Sequence, residues 1–333
     1  MNIYFSFIIP VFNRPEEVKE LLESFTQLVY SKDYEIVIVE DGSSESSESV
    51  VNQFSEKLNI SYFYKENSGP GLSRNFGMEK ARGDYFIILD SDCLLPPHYL
   101  TTVEAFLKNN YYDCYGGADA AHESFTDLQK AINYVMTSFL TTGGIRGNKK
   151  SVTRFEPRSF NMGISKKAFL KTGGYGKIHP GEDPDLSQRI LKNGFDSTFI
   201  PDAYVFHKRR ISWNKFYTQV QKFGLVRPIL NKWHPQSSKI TFWFPLCFVL
   251  FVILSVALSL VISWLMLLPL SLYVLLVFIS STLKNKSMFI GLLSIIALFV
   301  QFFGYGIAFL KSSYYIGLLK RDPQKQFPTL FFN

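Results

Sequence analysis

From Phe242 to Leu283 the sequence contains no charged residue, and a second uncharged run extends from Ser287 to Leu310. A bilayer-spanning helix needs about 20 consecutive apolar residues, so these runs can supply three. Dividing the first run near Ser263-Trp264 gives spans over about 242–262 and 265–283, with 287–310 as the third. A buried core helix is the competing explanation. Only Lys284 and Lys286 interrupt the whole stretch, however, which is more apolar sequence than a compact soluble core demands. The C-terminal third is therefore expected to be an integral membrane domain over 236–320, followed by a tail at 321–333.

The segment before the first span carries Lys208, Arg209, Arg210, Lys215, Lys222, Arg227, Lys232 and Lys239 and no acid. Under the positive-inside rule this flank stays cytoplasmic, and the N-terminal domain with it, as at a bacterial inner membrane. Lys284 and Lys286 agree. Three full crossings would place Lys311, Lys320, Arg321 and Lys325 outside, against the same rule. A re-entrant or interfacial segment around Tyr305–Leu319 would return the tail to the cytoplasm, and the sequence leaves both arrangements open.

The remaining composition narrows the class. Of 333 residues 47% are hydrophobic and 32 are Phe, rich for a soluble chain but long enough for one large α/β domain beside the membrane segment. The net charge of +7 gathers next to the apolar runs, where it suits anionic lipid headgroups; no nucleic-acid module is present and no nucleic-acid partner is expected. Cys93, Cys114 and Cys247 lack paired spacing, so neither a disulfide framework nor a thiolate zinc site is indicated. Met1-Asn2-Ile3-Tyr4 lacks a basic n-region, and no signal peptide is expected.

Along the first 120 residues short apolar strands alternate with amphipathic helices. Phe5–Pro10 is followed by a helix from Pro15 with Val18, Leu21, Leu22 and Phe25 on one face. Tyr34–Glu40 is followed by Glu48–Leu58, and strand Ile60–Tyr64 by a helix through Arg74–Ala81 and strand 85–89. This alternation predicts a Rossmann-like, mostly parallel sheet with helices on both faces, and such sheets bind ligands at their strands' carboxyl ends.

Polar motifs lie at those ends. Asp90-Ser91-Asp92 follows the apolar run Tyr85–Leu89, so two carboxylates one residue apart sit at a strand mouth. Oxygen ligands of this kind suit Mg²⁺ or Mn²⁺, which can grip a diphosphate; a plain strand-ending turn is the alternative. Asp41 closes the second strand in Glu40-Asp41-Gly42-Ser43-Ser44. Its carboxylate can accept a uracil imide N–H or a ribose hydroxyl, or equally cap a turn. Glu182, Asp183 and Asp185 precede the helix Leu186–Lys192, where a helix dipole alone would favour acids by about 0.3–1 kcal/mol each.

Ile8-Ile9-Pro10-Val11-Phe12-Asn13, the Glu40-Asp41-Gly42-Ser43 turn, the segment 67–83, Asp90-Ser91-Asp92, Gly173-Gly174-Tyr175 and Gly181-Glu182-Asp183-Pro184-Asp185-Leu186 together resemble family 2 glycosyltransferases over roughly residues 3–225. The resemblance implies a GT-A fold over 1–235 and a nucleotide-diphosphate sugar donor. It implies a nucleotide pocket of Pro10, Asn13, Asp41, Arg74, Asn75 and Arg82, with Asp90 near the ribose. Asp92 would hold the metal, Mn²⁺ or Mg²⁺, with Asp90 and, in some GT-A enzymes, a histidine placed like His207. Asp183 would be the general base of an inverting transfer, Glu182 would orient it, and Asn161 would line the acceptor side of the sugar.

Processive members carry a Gln-x-x-Arg-Trp motif, where this chain reads Gln219-Val220-Gln221-Lys222-Phe223. The expected activity is therefore transfer of one sugar, from a UDP-sugar in the first instance, to a lipid-linked or cell-surface glycan acceptor. A polyprenyl-phosphate sugar synthase, which needs no strong base, and a non-catalytic nucleotide-sugar-binding membrane protein are the alternatives.

Overall fold

The computed structural model describes residues 3–120, 125–143, 155–207 and 212–332. They form two compact units. Met1–Glu123, Lys149–Lys208 and Phe331–Asn333 belong to the first, and Ser124–Asn148 with Arg209–Leu330 to the second.

The first unit runs β1 (Phe5–Val11), α1 (Pro15–Phe25), β2 (Tyr34–Asp41), α2 (Glu48–Asn52), β3 (Ile60–Lys65), α3 (Pro70–Lys80), β4 (Tyr85–Leu89), β5 (Cys93–Leu94), α4 (Tyr99–Asn109) and β6 (Cys114–Ala120). The chain then leaves for the second unit through α5 (Asp127–Thr137) and α6 (Phe139–Thr142). It returns as β7 (Asn161–Ser165), α7 (Lys166–Thr172), α8 (Glu182–Lys192) and β8 (Ser197–His207). The eight strands lie in the order β3-β2-β1-β4-β7-β6-β8-β5. The first four are mutually parallel, β7 is antiparallel to β4 and β6, and β8 is parallel to β6. This is the mostly parallel, helix-covered sheet that the strand–helix alternation predicts, and it is GT-A-like, as the family resemblance implies.

The period-two rule for strands explains its two faces. Phe5, Phe7, Ile9 and Val11 of β1 join the α1 stripe Val18, Leu21, Leu22 and Phe25 and the α4 residues Tyr99, Leu100 and Val103. Ile8, with Val37, Val39, Phe86 and Ile88, faces the other way against Met78 of α3, Phe169 of α7 and Leu186 and Ile190 of α8. α3 lies close on the sheet because residue 77 is glycine; a Cβ there would meet Ile8 Cγ2 at 2.7 Å. The helix expected over Glu48–Leu58 stops at Asn52, because Gln53 and Phe54 donate to carbonyls three residues back, tightening the chain into turns.

The second unit is helical: α5 and α6, then α9 (Trp213–Trp233), α10 (Phe244–Val261), α11 (Leu268–Asn285) and α12 (Met288–Ser312). A Thr126–Gln129 capping box starts α5. Its apolar face (Ile132, Tyr134, Val135, Met136) packs with Phe216 and Val220 of α9, Phe248 of α10, Val277 of α11 and Phe302 of α12. Among the described residues three helical segments, Ile240–Val261, Trp264–Asn285 and Met288–Leu318, are long and apolar enough to cross a membrane. The third outruns the expected 287–310 because α12 continues through a π-helical turn, in which Leu319 N–H donates to Tyr314 O.

Candidate active site

The carboxyl ends of β1, β2 and β4 and the N-terminus of α8 bring most of the candidate residues together. Arg74 of α3 is the hub. Only 4% exposed, it donates through Nη2 to Asp90 Oδ1 at 2.8 Å and through Nη1 to Glu182 Oε1 at 3.2 Å, and its guanidinium lies 5.3 Å from the Tyr175 ring centre. Burial opposes its charge, but Asp90, Tyr175, Asp183 and Glu182 hold it protonated, above the ordinary arginine range. One buried cation thus ties the acidic pair after β4 to the acidic pair that opens α8.

Gly181 caps α8 with φ at 118°, a left-handed conformation that glycine alone adopts without strain. Helix α8 starts at Glu182, earlier than the expected Leu186, so both acids lie in its first turn. His179 Nδ1 is 2.9 Å from Glu182 Oε1. Burial pushes the Glu182 carboxyl up, but the His179 hydrogen bond and the charges around it hold it down at about 2. Asp183 goes the other way. Burial first and the Glu182 charge second push it up to about 6, against the pull of Arg74 and Arg158. Its residue surface is not wholly covered, yet Oδ1 is buried and accepts no hydrogen bond among the described residues. Two adjacent carboxyls driven apart in this way can take separate roles in proton transfer, since one stays ionised while the other accepts a proton near neutral pH.

Asp92 accepts from Arg14 Nη1 at 2.9 Å, and Arg14 sits at the N-cap of α1 just beyond β1. Asp90 and Asp92 each commit an oxygen to an arginine. Among the described residues no three His, Cys, Asp or Glu side chains gather as a metal cluster. The donor set therefore fits a hard dication held by one or two carboxylates, with substrate phosphate and water filling the remaining positions, and does not form an all-protein cage. His207 pairs in the ladder with Cys93; its side chain lies outside the described residues.

Asp41, 3% exposed, accepts from Ser68 N, Gly69 N and Lys65 Nζ at 2.9, 2.9 and 2.6 Å, drawing the 65–69 loop over the end of β2. Asn13, at φ 54°, accepts through Oδ1 from Ser44 N and Glu45 N, joining the loops after β1 and β2. Pro10 lies beside Val39 near the end of β1. Asn75 exchanges both amide groups with the Tyr175 backbone, at 2.9 and 2.7 Å, which fixes the turn leading to α8.

Two expected residues do not join this group. Arg82 donates to Glu35 from its backbone N–H and from Nε. Glu35 stands at the amino end of β2, about 20 Å of strand away from Asp41. The helix expected through Ala81 ends at Lys80, and Arg82 lies in the short connection from α3 to the start of β4. Asn161 is 1% exposed; it accepts from Tyr99 OH at 2.6 Å and donates to Ala203 O and Ala118 O at 2.8 and 3.2 Å. Its amide is engaged at both ends inside the sheet, with nothing turned toward an acceptor.

Three contributors escaped the sequence reading. Arg14 and His179 lie within three residues of recognised motifs and are signalled only by charge. Phe332 carries no local signal. Phe331 pairs antiparallel with Ile178, Phe332 N–H donates to Lys177 O at 3.0 Å, and the Phe332 ring packs on Gly69 and 6.0 Å from the His179 ring centre. Gly69, at φ 88°, has no room for a Cβ against that ring.

Comparison with known proteins bears on this arrangement. A sequence model described as Glycosyl transferase family 2 matches residues 6–172. The glycosyltransferase GlyA of Streptococcus pneumoniae serotype 4 is 35% identical over 230 residues, 68% of this chain and 32% of that protein. Matches to uncharacterized glycosyltransferases of Rickettsia cover only 19% to 28% of the length of those relatives. Among solved structures, the mannosyltransferase PcManGT of Pyrobaculum calidifontis, in complex with GDP-Man and Mn²⁺, shares a TM-score of 0.56 at 15% identity, covering 97% of this chain and 89% of that one. Staphylococcus aureus TarS 1–349 in complex with UDP-GlcNAc gives 0.52 at 16% identity, covering 94% and 92%. At these identities the structural likeness establishes the fold.

Proposed function

The chain belongs to glycosyl transferase family 2, and from that premise we propose that it moves a single sugar, with inversion, from a nucleotide-diphosphate sugar to a lipid-linked or cell-surface glycan acceptor. A UDP-sugar is the first choice of donor, consistent with the UDP-GlcNAc bound by its structural relative TarS. Residues 1–235 carry the chemistry in this reading, and 236–320 hold the enzyme at the lipid surface that presents the acceptor.

The observation that carries the proposal is the buried Oδ1 of Asp183, without a hydrogen bond among the described residues, with its carboxyl pushed up to about 6 beside the Arg74–Asp90 pair. Asp183 takes the proton of the acceptor hydroxyl. That oxygen then bonds to the anomeric carbon as the bond from this carbon to the diphosphate breaks, and the nucleoside diphosphate leaves with the electron pair. Glu182, kept ionised, holds Arg74 in place and keeps the neighbouring carboxyl ready to accept a proton. Pro10, Asn13 and Asp41 line the nucleotide side, and Asp90 lies toward the ribose. A divalent cation, Mn²⁺ or Mg²⁺, on Asp92 and Asp90 would neutralise charge on the leaving diphosphate.

The test is thermal stabilisation of the detergent-purified chain by UDP-, GDP-, CDP- and TDP-sugars, with Mn²⁺ and with chelator, beside Asp92→Ala. Metal-dependent stabilisation by one nucleotide, absent in the variant, is expected; at 100 times Kd it amounts to about 2.7 kcal/mol. Stabilisation by none of them would sink the donor site. Transfer that survives Asp183→Asn would instead point to a polyprenyl-phosphate sugar synthase.

A further inference from the structure

The chain leaves the first unit after Lys208 and rejoins it at Phe331, where the Ile178 bridge and the Phe332–Lys177 hydrogen bond sew it into the fold. That unit, with its open loops and sheet edges, cannot be threaded by hydrocarbon. Both ends of the 209–330 segment therefore lie on the same face of a membrane, and the number of crossings between them is even. Among the described residues three helices qualify as spans. They cannot all cross.

We infer that α10 and α11 cross as a hairpin, that α12 lies along the catalytic face without crossing, and that the tail returns to that face. Three features single out α12. First, 44% of its most apolar window is covered by protein, against 22% for the α10 segment and 11% for the α11 segment. Second, it runs beside α9: Gly304 meets Tyr217 and Val220, Gly224 meets Tyr305 and Ala308, and Ser312 Oγ donates to Leu225 O at 2.6 Å. α9 carries Lys215, Lys222, Arg227 and Lys232 and no acid. Such cations are costly at a bilayer centre, so α9 stays in the interface and holds its neighbour there.

Third, α12 joins the start of α10 to the end of α11. Gly306 is backed by Pro245 and Phe309 lies edge-on to Trp243 at 4.9 Å, while Ser294 and Ser281 share a hydrogen bond at 2.7 Å and Gly291 abuts Thr282. In a hairpin those two ends lie on one face, marked by Lys239 before α10 and Lys284 and Lys286 after α11. The opposite turn exposes Leu260, Val261 and Trp264 at 82%, 85% and 72%, a bare apolar tip with an aromatic anchor. Lys311, Lys320, Arg321 and Lys325 then share the face of the 208–239 basic segment, which satisfies the positive-inside rule.

Single-cysteine reporters test this in a Cys247→Ser background, because Cys93 and Cys114 are buried. Lys19→Cys marks the first unit, Gln324→Cys the tail and Ser263→Cys the hairpin turn. Each is treated with a membrane-impermeant maleimide in intact cells and in inside-out vesicles, with labelling after denaturation as the control for reactivity. Lys19→Cys and Gln324→Cys should label only in inside-out vesicles, and Ser263→Cys only in intact cells. Labelling of Gln324→Cys on the face opposite Lys19→Cys would overturn the inference, and so would labelling of Ser263→Cys on the same face.

Discussion

Asp183 and Glu182 are neighbours in sequence with opposite electrostatic fates, and the difference lies in their partners. Glu182 has Arg74 and His179, whereas Asp183 Oδ1 has no hydrogen bond among the described residues. Transfer should therefore fall as pH drops through about 6, because a base must be ionised to accept a proton, and a pH profile of kcat/KM checks this. Stability runs the other way. A carboxyl raised in the fold contributes stability that is fully present below the ordinary Asp range and lost as pH rises through about 6. Asp183→Asn should accordingly melt no lower than wild type at pH 8, bind donor, and lose about 10²–10⁴-fold in kcat. Arg74→Ala is the contrasting case: it strands Asp90 and Glu182 without their cation, and breaking a buried pair in this way costs about 3–5 kcal/mol. A large drop in melting temperature, with Arg74→Lys intermediate, is the expected outcome.

Elements were legible in the sequence where burial alone shaped them. The run Tyr85–Leu89 is a strand buried on both faces with the acidic pair at its end, and the α1 stripe is the one its period predicts. Partners across the fold were not legible, because a side chain's type fixes what it can bond and not what the chain brings to it. Arg82 found Glu35, Asn161 found Tyr99, and Asp41 found the 65–69 backbone. The same limit hid α5, whose apolar face reads like any amphipathic helix yet packs among the long apolar helices of the second unit. The close approach of α3 to β1 gives a prediction at this scale. Gly77→Val should overpack against Ile8 and Val39 and cost about 1–3 kcal/mol, read as a lowered melting temperature with the acidic cluster chemically intact. Gly69→Ala should displace Phe332 and strain a left-handed residue, and faster amide exchange at residues 331–332 would report it.

At the scale of the whole molecule, the bare apolar surface of α10 and α11 dictates handling. Leu250, Ile253, Leu254, Leu272, Leu275 and Leu276 are all exposed, far more contiguous apolar area than a soluble monomer tolerates. The chain should stay in the membrane fraction through high-salt and alkaline-carbonate washes and be released only by detergent, as fractionation and blotting would show. The pairing of Phe331 with Ile178 has a consequence in time as well as in space. The wall that Phe332 forms against Gly69 cannot exist until the ribosome has made the whole stretch in between, apolar helices included. A nascent chain therefore emerges with the Gly69 turn still uncovered, and that contact closes only after the apolar helices have been synthesised.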